Sequence, residues 1–175
     1  MSVYAAYHQD ARNKATHFIG VPAITLSLLI PLAWIRVDAG GVTITAAMLL
    51  AAIVLAYYLL LDVPLGLAMA AIFGAMLFVG HQIAGLGTAP GWIWFAILFV
   101  GGWILQLVGH VFEGRKPALA DNLFQIFMAP IFLAAEVFFA LGYKPHLYQS
   151  VQMRAIDMRN RALTPISVQA STERG

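Results

Sequence analysis

The chain contains no cysteine. That excludes disulfides, thiolate metal sites, iron–sulfur clusters and a cysteine nucleophile. Charge is also scarce, at 10% of 175 residues. A soluble domain carries about 25%, so these residues are too few to cover a water-facing surface. The net charge is only +2, and the basic residues gather outside the long apolar stretches. That pattern suits an anionic membrane surface better than nucleic acid, and no nucleic-acid partner is expected. Phosphate-binding glycine loops, nucleophile elbows, HExxH and EF-hand motifs are all missing. The first 17 residues include His8, Asp10, Arg12, Lys14 and His17. They do not form a short apolar region behind a basic start, so no signal peptide is expected.

What the chain has is hydrophobic residues, at 61%. A bilayer core of ~30 Å takes about 20 apolar residues as a helix. Five stretches meet or approach that length: 18–35, 42–61, 63–80, 92–108 and 123–141. Residues 85–91, with three glycines and Pro90, read as a loop. The fifth stretch is broken by Pro130 and carries Glu136. The expected fold is an all-α polytopic membrane bundle of four to five hydrophobic segments. Residues 1–145 read as the membrane-embedded catalytic domain and 146–175 as a basic tail. In that tail Arg154, Asp157, Arg159 and Arg161 suggest a surface helix, with disorder from about Pro165.

Positive charge marks the cytoplasmic side of a membrane protein. Four crossings place Arg12 and Lys14 on the same side as Arg115 and Lys116. A fifth crossing would send Lys144, Arg154, Arg159 and Arg161 to the other side. Residues 123–141 are therefore expected not to cross simply, but to re-enter, lie in the interface or pack as two half-helices.

Four of the five histidines, His8, His17, His81 and His110, fall at or near segment ends. Neutral imidazole is the commonest metal ligand, and ionisable groups at membrane depth point to function. Asn13 and His17 are i,i+4 and share a helix face. His8 and His17 are nine apart, which places them on opposite faces of an ideal helix. They meet only if the helix starts after His8 or bends. His110 and Glu113 are i,i+3 and share a face. Asn13 and Glu113 are the candidate catalytic residues beside the histidines. Arg115 and Lys116 are candidate cations for a substrate carboxylate or a lipid headgroup. The alternatives remain interfacial histidines at 8 and 17, and a Glu113 that pairs with Arg115 or Lys116. In a four-crossing bundle His81 lies ~27 Å from His17 and His110. It joins one site with them only if segments three and four do not cross simply. Glu136 is expected to be neutral or paired.

The stretch from Tyr7-His8 through Asn13 and His17 to Pro22 resembles the N-terminal motif of the membrane 2-hydroxy fatty acid dioxygenase family. The run from Gly102 to Leu123, with Gly109-His110-Val111-Phe112-Glu113-Gly114-Arg115-Lys116-Pro117 at its centre, is similar to that family's signature. Ala129-Pro130, Glu136 and Leu141-Gly142 extend the likeness. The resemblance implies an Fe(2+)-dependent enzyme of fatty acid α-oxidation. Such an enzyme takes a long-chain 2-hydroxy fatty acid and O₂, cleaves between C1 and C2, and leaves the acid one carbon shorter. It further implies His8, His17 and His110 as iron ligands. His81 falls where the family can carry another histidine. A sulfur-free, nitrogen-rich ligand set suits non-haem iron, with zinc as the competing occupant.

The alternatives are another metal-dependent membrane lipid enzyme, either a hydroxylase or a hydrolase, and a non-enzymatic transporter or metal-binding protein. Histidine-box hydroxylases need about eight clustered histidines, and five isolated ones argue against that class. The expected location is an integral membrane position, in the bacterial inner membrane or, in a eukaryote, the endoplasmic reticulum.

Overall fold

The computed structural model describes residues 5, 8, 10–114 and 125–163. Six helices and one short hairpin account for them. Helix α1 (Ala11–Leu32) begins where the Asp10 side chain accepts the Arg12 N–H, an N-cap with extended backbone. Three of these helices are long and apolar enough to cross a membrane: α1, α3 (Val63–Gly85) and α4 (Thr88–Glu113). Helix α2 (Ala46–Leu61) is shorter, at 16 residues or ~24 Å. Large side chains such as Ile53, Leu60 and Ile97 stay exposed on the outer faces. In water that would be costly, but against lipid tails it is not. The protein is an all-α polytopic membrane bundle.

Three boundaries depart from the expectation. The stretch 42–61 is not one helix, because Val42–Thr45 pairs antiparallel with Arg36–Ala39 as strands β2 and β1. Gly40 and Gly41 form the two-residue turn, both with positive φ, the backbone that Gly-Gly hairpins supply. Thr45 then caps α2 by accepting the Met48 N–H. Residues 85–91 are mostly not a loop. Only Leu86 and Gly87 separate α3 from α4, since Pro90 is tolerated in a helix's first turn. Helix α4 runs beyond residue 108 to Glu113, which puts His110 and Glu113 on its last turns.

The short connections make α1 to α4 antiparallel neighbours, with α1 packed chiefly against α4. Glycines allow that approach. A Cβ on Gly20 would come within 2.9 Å of the Gly102 carbonyl oxygen, and one on Gly102 within 2.9 Å of the Gly20 carbonyl oxygen. The start of α1, the end of α4 and the α2–α3 turn at Asp62 share one end of the bundle. Trp34, Trp92 and the hairpin mark the other end, where the Trp34 N–H bonds the Ala84 carbonyl.

Helix α5 (Gln125–Ala140) runs unbroken through Pro130, where a break was expected. The Tyr58 hydroxyl donates to the Phe127 carbonyl at 2.6 Å, and Lys144 pairs with Asp62 at 2.6 Å. Tyr58 and Asp62 lie about one helical turn apart, ~6 Å. The α2–α3 corner thus contacts both the first turn of α5 and the segment that follows it. Ile131 and Ala135 of α5 bury against Val54, Tyr58, Met69 and Phe73. Helix α6 (Pro145–Leu163) follows. Its Val151 and Ala155, one turn apart, are buried in the cluster that holds Val21 and Phe132.

Candidate metal centre

The two halves of the centre come from distant parts of the chain. His17 sits in the second turn of α1, and His110 in the last turns of α4. His8 precedes the Asp10 cap, so the helix does start after it and the opposite-face problem disappears. All three rings are buried, at 2%, 1% and 6% exposed for His8, His17 and His110. Their centroids form a near-equilateral triangle of 4.5, 5.1 and 5.0 Å, each pair edge to face.

His8 Nε2 lies 3.1 Å from His17 Nε2. Two imidazole nitrogens sharing one ion at ~2.1 Å each, at angles between square and tetrahedral, stand ~3.0–3.4 Å apart. His17 Nδ1 is 2.8 Å from the Asn13 carbonyl oxygen and donates to it. That leaves the Nε2 lone pair directed at the centre, the usual way a backbone carbonyl orients a ligating ring. His110 Nδ1 is buried and has no hydrogen-bond partner among the described residues. Such an orphaned polar atom costs about 1–3 kcal/mol, a cost that coordination would remove. The three rings each offer a nitrogen within one small volume. This donor set fits a divalent first-row ion, all nitrogen and without sulfur.

Glu113 is placed differently from an additional ligand. One carboxylate oxygen accepts the Asp10 backbone N–H at 2.7 Å and the Asn13 side-chain N–H at 3.2 Å. It thus ties the end of α4 to the start of α1, where orphan N–H groups and the helix dipole favour an anion. Asn13 is fully buried and belongs to the same tie. Just outside, the Arg12 guanidinium donates to Asp10 and holds that carboxyl well below the usual range.

His81 does not join this centre. Its two nitrogens are engaged by the Thr45 hydroxyl at 3.1 Å and the Leu77 carbonyl at 2.7 Å, at the other end of the bundle. The reason is directional, because α3 runs away from the α1 start and carries residue 81 with it. Arg115 and Lys116 lie outside the described residues.

Two contacts of the site had no reading in the sequence, although Glu136 was expected to be neutral or paired. Gly109 touches the site directly, since a Cβ there would collide with the Thr16 hydroxyl and the Asn13 side-chain oxygen. A seven-residue spacing of Gly102 and Gly109, two helical turns, is the signal that could have found it. Lys14 pairs with Glu136 at 2.6 Å, a contact between α1 and α5 that spans 122 positions.

A buried three-histidine cluster at one end of a helical membrane bundle defines a membrane protein with a site that could hold a metal ion. The chain belongs to the 2-hydroxy-palmitic acid dioxygenase Mpo1-like family, which matches residues 1–141. It is similar to the 2-hydroxy-palmitic acid dioxygenase MPO1 of Saccharomyces cerevisiae, 33% identical over 162 residues. That alignment covers 87% of this chain and 85% of the yeast protein. No solved structure matches it.

Proposed function

We propose that this chain is an Fe(2+)-dependent membrane dioxygenase that shortens long-chain 2-hydroxy fatty acids by one carbon, using O₂. The observation that carries the reading is the buried triad of His8, His17 and His110, in a chain whose family and yeast relative are named as 2-hydroxy-palmitic acid dioxygenases. A bound ferrous ion would supply the redox chemistry that O₂ needs. The three histidines would hold it. The Asn13 carbonyl keeps His17 in the ligating tautomer. Glu113 and Asn13 hold α1 and α4 at a fixed separation, and we assign them as positioning residues. Burial of the rings keeps bulk water from the reacting end. Arg115 and Lys116 would meet the substrate carboxylate at the surface as it enters. The apolar outer faces hold the enzyme in the membrane where its substrate dissolves.

The test uses purified full-length protein, loaded anaerobically with Fe(2+) and then given 2-hydroxypalmitic acid and O₂. The expected product is the C15 acid, formed only with O₂ present. His110→Ala should lose product and drop metal content from about one ion per chain to near none. Full turnover by that variant would refute the assignment. Tight metal binding without any product would instead favour a non-enzymatic metal-binding protein.

A further inference from the structure

Helices α1, α3 and α5 line a half-open cavity of about 240 Å³, with Phe18, Val21, Met69, Phe73, Leu133 and Val137 among its walls. Its walls are almost wholly apolar. The hydroxyl of Thr25, the one polar side chain in the lining among the described residues, is already bonded to the Val21 carbonyl. Nothing in the walls calls for a polar ligand, so the occupant must be hydrocarbon at this depth.

The polar groups lie at one end. Along α1, Lys14, Phe18 and Val21 follow at i, i+4 and i+7, and so share a face. Along α5, Leu133, Glu136 and Val137 fall at i, i+3 and i+4. The Lys14–Glu136 pair therefore bridges the same two helices that wall the cavity, one turn nearer the histidine end. Both side chains are largely buried, at 22% and 14% exposed. An ammonium has three donors, and Glu136 is the one partner found for Lys14 among the described residues. The second Glu136 oxygen is buried and has no hydrogen-bond partner among them. The histidine centre adjoins this point. His17 lies three residues after Lys14, and Phe132, next to cavity-lining Leu133, packs on His8 at 6.1 Å between ring centroids.

We propose that this cavity takes the acyl chain of a free long-chain carboxylic acid and that Lys14 binds its carboxylate, with Glu136 as the positioning residue for the ammonium. The juxtaposition of hydrocarbon slot, ammonium and histidine triad along one face of α1 carries the assignment. It deepens the dioxygenase reading and rests on it for the identity of the acid, but the binding site can be tested without turnover.

The experiment measures equilibrium binding of radiolabelled palmitic acid and hexadecanol to the full-length protein in lipid nanodiscs, with empty nanodiscs subtracted. Removing Lys14 alone would strand a buried carboxylate. The comparison is therefore between Glu136→Gln and the double variant Lys14→Met/Glu136→Gln, in which neither residue is charged. Loss of a charge-assisted hydrogen bond should weaken palmitic acid roughly 10- to 100-fold and leave hexadecanol unchanged. Lys14→Arg, which keeps the cation, should retain the preference for acid over alcohol. Leu133→Trp, which fills the slot, should weaken the C16 acid far more than the C8 acid. Equal binding of acid and alcohol by Glu136→Gln would make the cavity a slot for any lipid tail and would overturn the proposal. An unchanged preference in the double variant, or no palmitic acid binding by the wild type, would overturn it too. Lys14-dependent binding in a protein that yields no C15 acid would uphold this site while refuting the dioxygenase reading.

Discussion

Gly109→Ala is a one-carbon change with an outsized consequence at the centre. The added Cβ would meet the Thr16 hydroxyl and the Asn13 side-chain oxygen well inside contact distance, with His17 Nδ1 3.2 Å away. Thr16 has little freedom to yield, because its hydroxyl already bonds the Asn13 carbonyl at 2.8 Å. Relief requires α4 to back away from α1 by roughly 1 Å. Overpacking of this kind costs about 1–3 kcal/mol, and the helical gain of Gly→Ala returns about 0.5–1 kcal/mol. The net loss is about 0–2.5 kcal/mol, or a Tm lower by up to roughly 10 °C for a chain of this length. The metal effect should be larger than the stability effect, because coordination tolerates only about 0.2 Å and His110 moves with α4. The control is Gly101→Ala, whose Cβ meets nothing within 4 Å. It should hold its metal and match or exceed the wild-type Tm. Thermal unfolding in detergent and metal analysis of both variants decide the matter. Equal metal content and equal Tm in the two would refute the reasoning.

Two further predictions concern the outer parts of the bundle. His81→Ala should keep full metal content and lose about 1 kcal/mol, the worth of its bond to Thr45. Metal loss in that variant, measured beside His17→Ala, would return His81 to the site. Burial pushes the Asp62 carboxyl up, but Lys144, the Leu65 N–H and the Tyr143 hydroxyl outweigh it and hold it below 3.8. Lys144 is raised above 10.5, chiefly by its hydrogen bond to Asp62. Asp62 contributes its stability above the ordinary carboxylate value and loses it as pH falls through the lower folded value. Lys144 contributes below the ordinary lysine value and loses its share as pH rises through the higher folded one. The pair is thus complete between about pH 4 and 10. Asp62→Asn, which keeps the helix cap, should lose at most about 1 kcal/mol in that window, and a Tm series across pH checks it.

The helices were legible because a membrane-spanning segment needs only an uncharged run of sufficient length, as in 63–80 or 92–108. The hairpin was not. The alternation in Val42-Thr43-Ile44-Thr45 was absorbed into a hydrophobic run, although Gly40-Gly41 was there to mark the turn. The metal centre was partly legible, since His8, His17 and His110 stand at segment ends. Whether His8 and His17 could meet depended on where α1 begins, and the Asp10 cap answers that. The roles of Glu113 and Glu136 were beyond local reading. Each has its partner more than 100 positions away, at Asp10 and Lys14, where no helical spacing can point.

The pairing of α1 with α4 also sets an order of biosynthesis. His17 and His110 are 93 positions apart (110 minus 17), so the first two histidines leave the ribosome well before the third. At about 5–20 residues per second the gap is roughly 5–20 s. During that interval His8 and His17 form an incomplete pair beside a newly inserted helix. An ion seated by all three rings can arrive only after α4 is in place. An ion held there would fasten α1 to α4 like a clasp drawn across everything synthesised between them.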